Sequence, residues 1–311
     1  MKKRTKCVLL YNYFRELIDR KRHAKKYSTA DLYCATTNWI KKFTGTQLPL
    51  DKVTPGLIDR FHAFLLSQKN LKNNSIISYL HNFRAMYNTA IREHLIRTPY
   101  ISPFAHLSLR KEKTAKRAVS PEVFENICQL NLPEGSGLSL TADLCVFSYL
   151  ACGISFIDLA NLNKQNIIGD EIVYNRKKTG TQIRIRITKG MCALIDKYQT
   201  DDTPYLFPIL DKEKTTHGAY KSCLLHYNAN LQELSVLLRL PVRLTSYVIR
   251  HSWATGAFKL HIPVAVISQA LGHTSEKTTR YYLDQLDQSE LDQANAKITH
   301  SIERILKKKG A

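Results

Sequence analysis

The sequence predicts a mainly α protein in two parts: a small helical bundle, then an α+β domain with one small antiparallel sheet or hairpin. Three observations predict it. Apolar residues recur at spacings of three and four through most of the chain. The period switches to two over a single stretch, "EIVYNRKKTGTQIRIRIT" at 171–188. Charge is lopsided: residues 1–120 carry 24 Lys and Arg against 7 Asp and Glu, a net of +17, while 121–311 carry 22 against 19, a net of +3. The 311 residues suffice for two ordinary domains, and 44% hydrophobic content supports packed cores.

The elements follow in order. "KKYSTADLYCATTNWIKKF" at 25–43 reads as a helix capped by Ser28-x-x-Asp31, with Leu32, Ala35, Trp39 and Ile40 on its apolar side. "TPGLIDRFHAFLLSQ" opens on Thr54 as a cap, with Pro55 in the first turn. In "NSIISYLHNFRAMYNTAIREHL", Ile76, Leu80, Phe83, Tyr87 and Ile91 line one buried face. These helices make a bundle over 1–105 whose other faces carry the positive charge. Pro99 and Pro103 then break the pattern, and residues 106–119, ending in "LRKEKTAKRAV", read as a basic inter-domain linker. A second domain, 120–311, starts at Ser120-Pro121-Glu122, a cap with a first-turn proline. "LSLTADLCVFSYLAC" is a strongly apolar helix ending at Gly153. In the hairpin, Ile183, Ile185 and Ile187 alternate with Arg184 and Arg186, and Thr179-Gly180 marks the turn. Helices resume with "MCALIDKYQ", "SVLLRL", "RHSWATGAFKL" and "IPVAVISQAL", the last closed by Gly272. A Tyr-bearing segment and a final helix ending in "RILKKKGA" complete the chain.

A front half this basic calls for an acidic partner, and a polyphosphate backbone is the usual one. A membrane surface is the competitor, but no basic amphipathic helix with a wide Trp/Leu face is present, so no membrane partner is expected. The seven cysteines are odd in number and scattered, without a Cys-x-x-Cys pair, which supports neither zinc nor a disulfide framework. Several sit in apolar runs as small core residues. No 18-residue apolar segment occurs, and "CVLLYNYF" is too short and polar for a secretory signal. A cytoplasmic, nucleoid-associated protein without metal or cofactor is the expectation.

Four pieces carry the chemistry: the hairpin with Lys178, a helix start with Arg250, Gly272-His273, and Tyr282. They stand as "RKKTG" (176–180), "RHSWAT" (250–255), "LGH" (271–273) and "TTRYY" (278–282). In this order and at these spacings they resemble the tyrosine recombinase (phage integrase) family, whose pattern is R-H-[ST]-[FW]-A-T, then L-G-H, then T-T-x-x-Y. The resemblance spans the chain, because a basic helical front domain of SAM-like type also belongs to the pattern. It implies a site-specific recombinase, of the integrase or invertase kind. Its register makes Tyr282, not Tyr281, the nucleophile that attacks a DNA phosphorus and forms a 3′-phosphotyrosyl link. Arg250 would stabilise the phosphoryl oxygens, Lys178 would protonate the leaving 5′-oxygen, and His273 would hydrogen-bond a phosphate oxygen or assist proton movement near Tyr282. His251 and His261 read as structural.

Two departures stand out. Where the family has an arginine in G-[LM]-R-x-x-E, this chain has Gly153-Ile154-Ser155-Phe156-Ile157-Asp158, so Ser155 replaces the arginine. Asp158 keeps the acidic position and is expected to buttress. The family's H-x-x-R reads Tyr247-Val248-Ile249-Arg250 here. Arg176 is the best substitute for the missing arginine, since strand alternation puts it on the face of Lys178 and Lys177 on the other. Arg184 and Arg186 are weaker candidates. Tyr247 can donate to a phosphate oxygen but, with an ordinary pKa of about 10, is no base at neutral pH.

The resemblance further implies double-stranded DNA recombination sites as partner, contacted along the linker by Lys111, Lys113, Lys116 and Arg117. It implies a homo-tetramer in the synaptic complex, with accessory DNA-bending proteins as further partners. A tail with Leu291, Ile298, Ile302 and Ile305 on one face would dock on the neighbouring protomer. With no arm-binding segment evident before the bundle, a simple recombinase or invertase is expected. A type IB topoisomerase-like enzyme, a catalytically silent DNA-binding protein, and a general RNA- or membrane-binding protein are the competing readings.

Overall fold

The computed structural model describes residues 7–107, 109–112, 117–210, 216–280, 283, 295–300, 302 and 304. The chain forms two compact units, Met1–Thr114 and Ala115–Ala311.

Among the described residues, the first unit holds four α-helices: α1 (Leu10–His23), α2 (Tyr27–Thr44), α3 (Pro55–Leu66) and α4 (Asn73–Arg92). Its core is aromatic. Phe83 of α4 lies edge-on to Phe14, Phe61 and Phe104, at ring separations of 5.7, 5.8 and 5.3 Å. Truncating so well-buried a ring would cost about 3–5 kcal/mol. The predicted face of α4 is buried at Ile76, Leu80, Phe83 and Tyr87, with Ile91 packed at its edge. Thr54 caps α3, accepting from Leu57 N–H at 3.3 Å, with Pro55 in the first turn. At the end of α4, Glu93 accepts from Tyr13 at 2.9 Å and Arg20 at 2.6 Å, tying α1 to α4. Glu112 is fastened to the start of α4: Asn74 exchanges two hydrogen bonds of 3.0 Å with its backbone.

Two readings of α2 are corrected. The helix begins at Tyr27 after Lys26, so Ser28 lies inside the first turn and makes no cap. Leu32 is 47% exposed; its place on the inner face is taken by Ala30, Thr36 and Thr37. Both threonines are buried at low cost because their hydroxyls donate back to Leu32 and Tyr33 carbonyls.

In the second unit, α5 (Pro121–Cys128) and α6 (Gly137–Leu150) lead to a short α7 (Phe156–Leu159). A three-stranded antiparallel sheet follows, in the order β1 (Ile167–Ile168), β2 (Glu171–Asn175), β3 (Gln182–Arg186). Then come α8 (Lys189–Tyr198), α9 (His217–Leu237), α10 (Ser246–Lys259), α11 (Val264–Ala270) and α12 (Glu276–Arg280). Helix α6 is apolar nearly all round because it lies among α5, α8, α9 and α10. The first half of "SVLLRL", Ser235 to Leu237, proves to be the end of the long α9. The hairpin pairs Ile172 with Ile185 and Tyr174 with Ile183, so their shared face is buried while Arg184 and Arg186 face out.

Cys145 is fully buried in this core, and Cys152 and Cys223 pack against it, while Cys7, Cys128 and Cys192 are exposed. No helix among the described residues is long and apolar enough to cross a membrane.

Candidate active site

The site forms around the loop 271–273. Its construction begins with two glycines. Gly153, which ends the apolar stretch after α6, has φ +67 and lies against the Arg250 backbone. Gly272, which ends α11, has φ +61 and lies against Ile183 and Arg176. Left-handed backbone with no room for a Cβ requires glycine at both places. Each lets an arginine fold down close to the chain. Arg250, in the first turns of α10, donates to the Gly153 carbonyl at 2.8 Å and to the Leu271 carbonyl. Arg176 donates to the next carbonyl, Gly272, at 2.9 Å. Thr179 donates there too, at 3.1 Å. Consecutive carbonyls of one loop therefore hold two guanidinium groups that are 74 positions apart in sequence, and His273 follows directly.

Both arginines are buried, 3% and 5% exposed. Arg176 forms no ion pair among the described residues, and its Nε is buried there without a hydrogen-bond partner. A buried cation with an unused donor is costly unless an anion completes it. The pair leaves its mark on His273. Burial, then the charges of Arg250, Arg176 and Lys178, push its imidazole down to about 4, so it is neutral at pH 7. Its Nδ1 lies 2.8 Å from the Thr279 hydroxyl on α12.

Lys178 is exposed, in the hairpin turn and not on the strand face expected for it. Strand β2 ends at Asn175, so Lys177 and Lys178 stand in the turn, not on strand faces. Alternation does hold through Ile172, Tyr174 and Arg176, which are all buried. The turn is fixed from below by Asp158, 3% exposed, which accepts from Lys177 N–H at 2.8 Å and from the Ser155 hydroxyl at 2.5 Å. Ser155 thus occupies the position of the absent arginine as a partner of Asp158. Arg184 and Arg186 are exposed and paired with Glu171 and Asp170, away from the buried arginines. Tyr247, in the first turn of α10, is 56% exposed, its ring 4.5 Å from that of His251.

Tyr281 and Tyr282 lie outside the described residues, as do Lys113 and Lys116. Leu283 is buried with Ala254, Ile267 and Leu271. Lys111 and Arg117 are exposed. In the tail, Ile298 and Ile302 are exposed, while Leu291 and Ile305 lie outside the described residues. Among the described residues, no group of His, Cys, Asp or Glu is arranged to hold a metal ion. The carbonyl anchors and Thr279 escaped the sequence reading; the glycines of "CGIS" and "LGH" were its only signal of close backbone approach.

A basic helical unit is thus followed by an α+β unit whose two buried guanidinium groups converge on one loop. Residues 9–106 match the phage integrase SAM-like domain, and residues 132–289 match the phage integrase family. The chain belongs to the phage integrase family of tyrosine recombinases. It is 27% identical over 147 residues to the tyrosine recombinase XerA of Pyrococcus furiosus, which covers 45% of this chain and about half, 48%, of that relative. It is 21% identical over 239 residues to the tyrosine recombinase XerC of Leptospira interrogans, 76% of each chain. Its fold is that of the Tn1549 transposon integrase in complex with transposon right end DNA (TM-score 0.67, 16% identity, 94% of this chain and 99% of that one). It also resembles a lambda integrase dimer bound to a COC′ core site (TM-score 0.64, 16% identity, 90% and 79%).

Proposed function

We propose that this protein is a site-specific DNA recombinase that cuts and rejoins duplex DNA through Tyr282. The observation that carries the reading is the pair of buried guanidinium groups on the consecutive carbonyls of Leu271 and Gly272. Tyr282 attacks a backbone phosphorus; the new P–O(Tyr) bond forms as the P–O5′ bond breaks. The tyrosine proton passes to water, and Lys178, exposed on its turn, gives one to the departing 5′-oxygen. The bond energy is kept in the 3′-phosphotyrosyl ester, so rejoining needs no nucleotide triphosphate. Arg250 and Arg176 neutralise the non-bridging oxygens, with Arg176 in place of the arginine lost at Ser155. Neutral His273 serves the same phosphate, and Tyr247 offers a hydroxyl to the backbone.

Residues 1–105 form the DNA-binding domain, and 106–119 are a linker whose Lys111, Lys113, Lys116 and Arg117 follow the phosphates. Residues 120–311 are catalytic. The lambda integrase tetramer bound to a Holliday junction supports four protomers in the synaptic complex. The exposed Ile298 and Ile302 suit a tail that docks on a neighbour.

Trapping on nicked DNA, where the cut end diffuses away, tests the reading. A covalent adduct is expected from the unaltered protein and from Tyr281→Phe, and none from Tyr282→Phe. An adduct unaffected by Tyr282→Phe overturns it. Conversion of a circular substrate with two sites into recombinant products separates recombination from simple relaxation.

A further inference from the structure

Thr279 is fully buried on α12, three positions before Tyr282. Its hydroxyl meets His273 Nδ1 at 2.8 Å, and no other hydrogen bond of that hydroxyl occurs among the described residues. A buried hydroxyl has one proton to give, and leaving a donor unpaired costs more than leaving a lone pair unfilled. If Nδ1 carried the proton, Thr279 would accept and its own proton would be stranded. If Thr279 donates, its proton and the Nδ1 lone pair are both used, and the buried Nε2–H becomes the donor that a bound anion would meet.

We infer that Thr279 is a positioning residue: it donates to His273 Nδ1 and so holds the imidazole as the Nε2–H tautomer. His273 then presents a hydrogen-bond donor, not a base, to whatever lies against Nε2. A neutral imidazole has two forms with opposite roles at each nitrogen, and only a fixed partner selects between them. Backbone geometry fixes the other end of the residue. His273 N–H donates to the Ser268 carbonyl at 3.0 Å, and Gly272 N–H to the Gln269 carbonyl at 2.9 Å. The ring is thus held to α11 through its backbone and to α12 through Thr279. Resting on the proposed recombinase reading, the consequence is that His273 donates to a non-bridging phosphate oxygen, while the proton of Tyr282 leaves by another route. The hydrogen bond also ties the histidine to α12.

The decisive measurement is nitrogen NMR of the DNA-free protein with labelled histidine, the His273 signal being identified by its loss in His273→Gln. The expected result is an Nε2–H pattern in the unaltered protein and in Thr279→Ser, with a mixed pattern in Thr279→Val. In adduct trapping, Thr279→Val should be about tenfold slower, the value of one ordinary hydrogen bond, and Thr279→Ser should recover most of the rate. An Nδ1–H pattern in the unaltered protein overturns the inference, as does a Thr279→Val protein with unchanged tautomer and rate. The unaltered protein and the serine variant decide the matter even if the valine variant does not fold. Failure of the recombinase reading shows separately, as absence of any adduct from the unaltered protein, and leaves the tautomer result standing.

Discussion

Alanine at Gly153 places a methyl 2.9 Å from the Cα of Arg250 and 3.3 Å from its Cγ. At Gly272 the methyl would stand 2.7 Å from Ile183 Cδ1 and 3.1 Å from Arg176 Cδ. Both glycines are left-handed, but so is Gly169, at φ +62, with nothing within 4 Å. The three substitutions therefore separate backbone strain from collision. Gly169→Ala should cost the backbone term alone, about 1 kcal/mol. Gly272→Ala adds overpacking against side chains that can turn aside, for a total of about 2–3 kcal/mol. Gly153→Ala presses on helix backbone that cannot rotate away, and about 3–5 kcal/mol is expected. In a unit of this size each kcal/mol lowers Tm by about 2–4 °C. Scanning calorimetry should rank the losses Gly169 < Gly272 < Gly153, from a few degrees to about 10 °C or more. Activity should rank differently. Gly272→Ala, assayed well below its Tm, should still slow adduct formation by about tenfold, because the Arg176 side chain, in contact at Cδ, must shift from its place on the Gly272 carbonyl. Equal losses at Gly153 and Gly169 would refute the collision argument, and full activity in Gly272→Ala would refute the link from Gly272 to Arg176.

Three further outcomes are expected. Arg176→Ala should lower adduct formation by about 10²–10³-fold, the usual cost of one oxyanion donor, with DNA retention nearly intact in a gel-shift assay; wild-type cleavage would return Arg176 to a structural role. Asp158→Ala strands the Lys177 N–H and the Ser155 hydroxyl and should cost about 2–3 kcal/mol in denaturant unfolding, with slower cleavage because the turn bearing Lys178 loosens. The third concerns pH. The folded protein holds the His273 imidazole at about 4, below its unfolded value near 6.5, so the unfolded chain binds more protons between the two. The stability this neutral histidine contributes is present above pH 6.5 and is lost as pH falls toward 4. Unfolding midpoints should drop more steeply across that window in the unaltered protein than in His273→Gln; parallel curves would show that His273 titrates normally.

Much of the fold was legible because it depends on short-range rules. The spacing of Ile76, Leu80, Phe83 and Tyr87 needs only the helix period, and Ile183 and Ile185 need only the strand period. Where local rules competed, the reading slipped. Ser28 looked like a cap, but the cap is Lys26, two residues earlier; Leu32 looked like core, but threonines that satisfy their own hydroxyls took the inner face. Lys178 was assigned a strand face that ends at Asn175, because a turn's exact start depends on what holds it, here Asp158 from another element.

The sequence by itself determined the order and spacing of the motif residues, the family they indicate, and the absence of an arginine at Ser155. Only the tertiary structure decided where the buried guanidinium groups sit. Arg176 reaches the Gly272 carbonyl across 96 positions, and Arg250 reaches that of Gly153 across 97. Those anchors are backbone oxygens, which every residue carries and no motif encodes. Which side chain may approach them depends on where two left-handed glycines leave room for a guanidinium, and that room exists only once the hairpin, α10 and the loop after α11 have packed together.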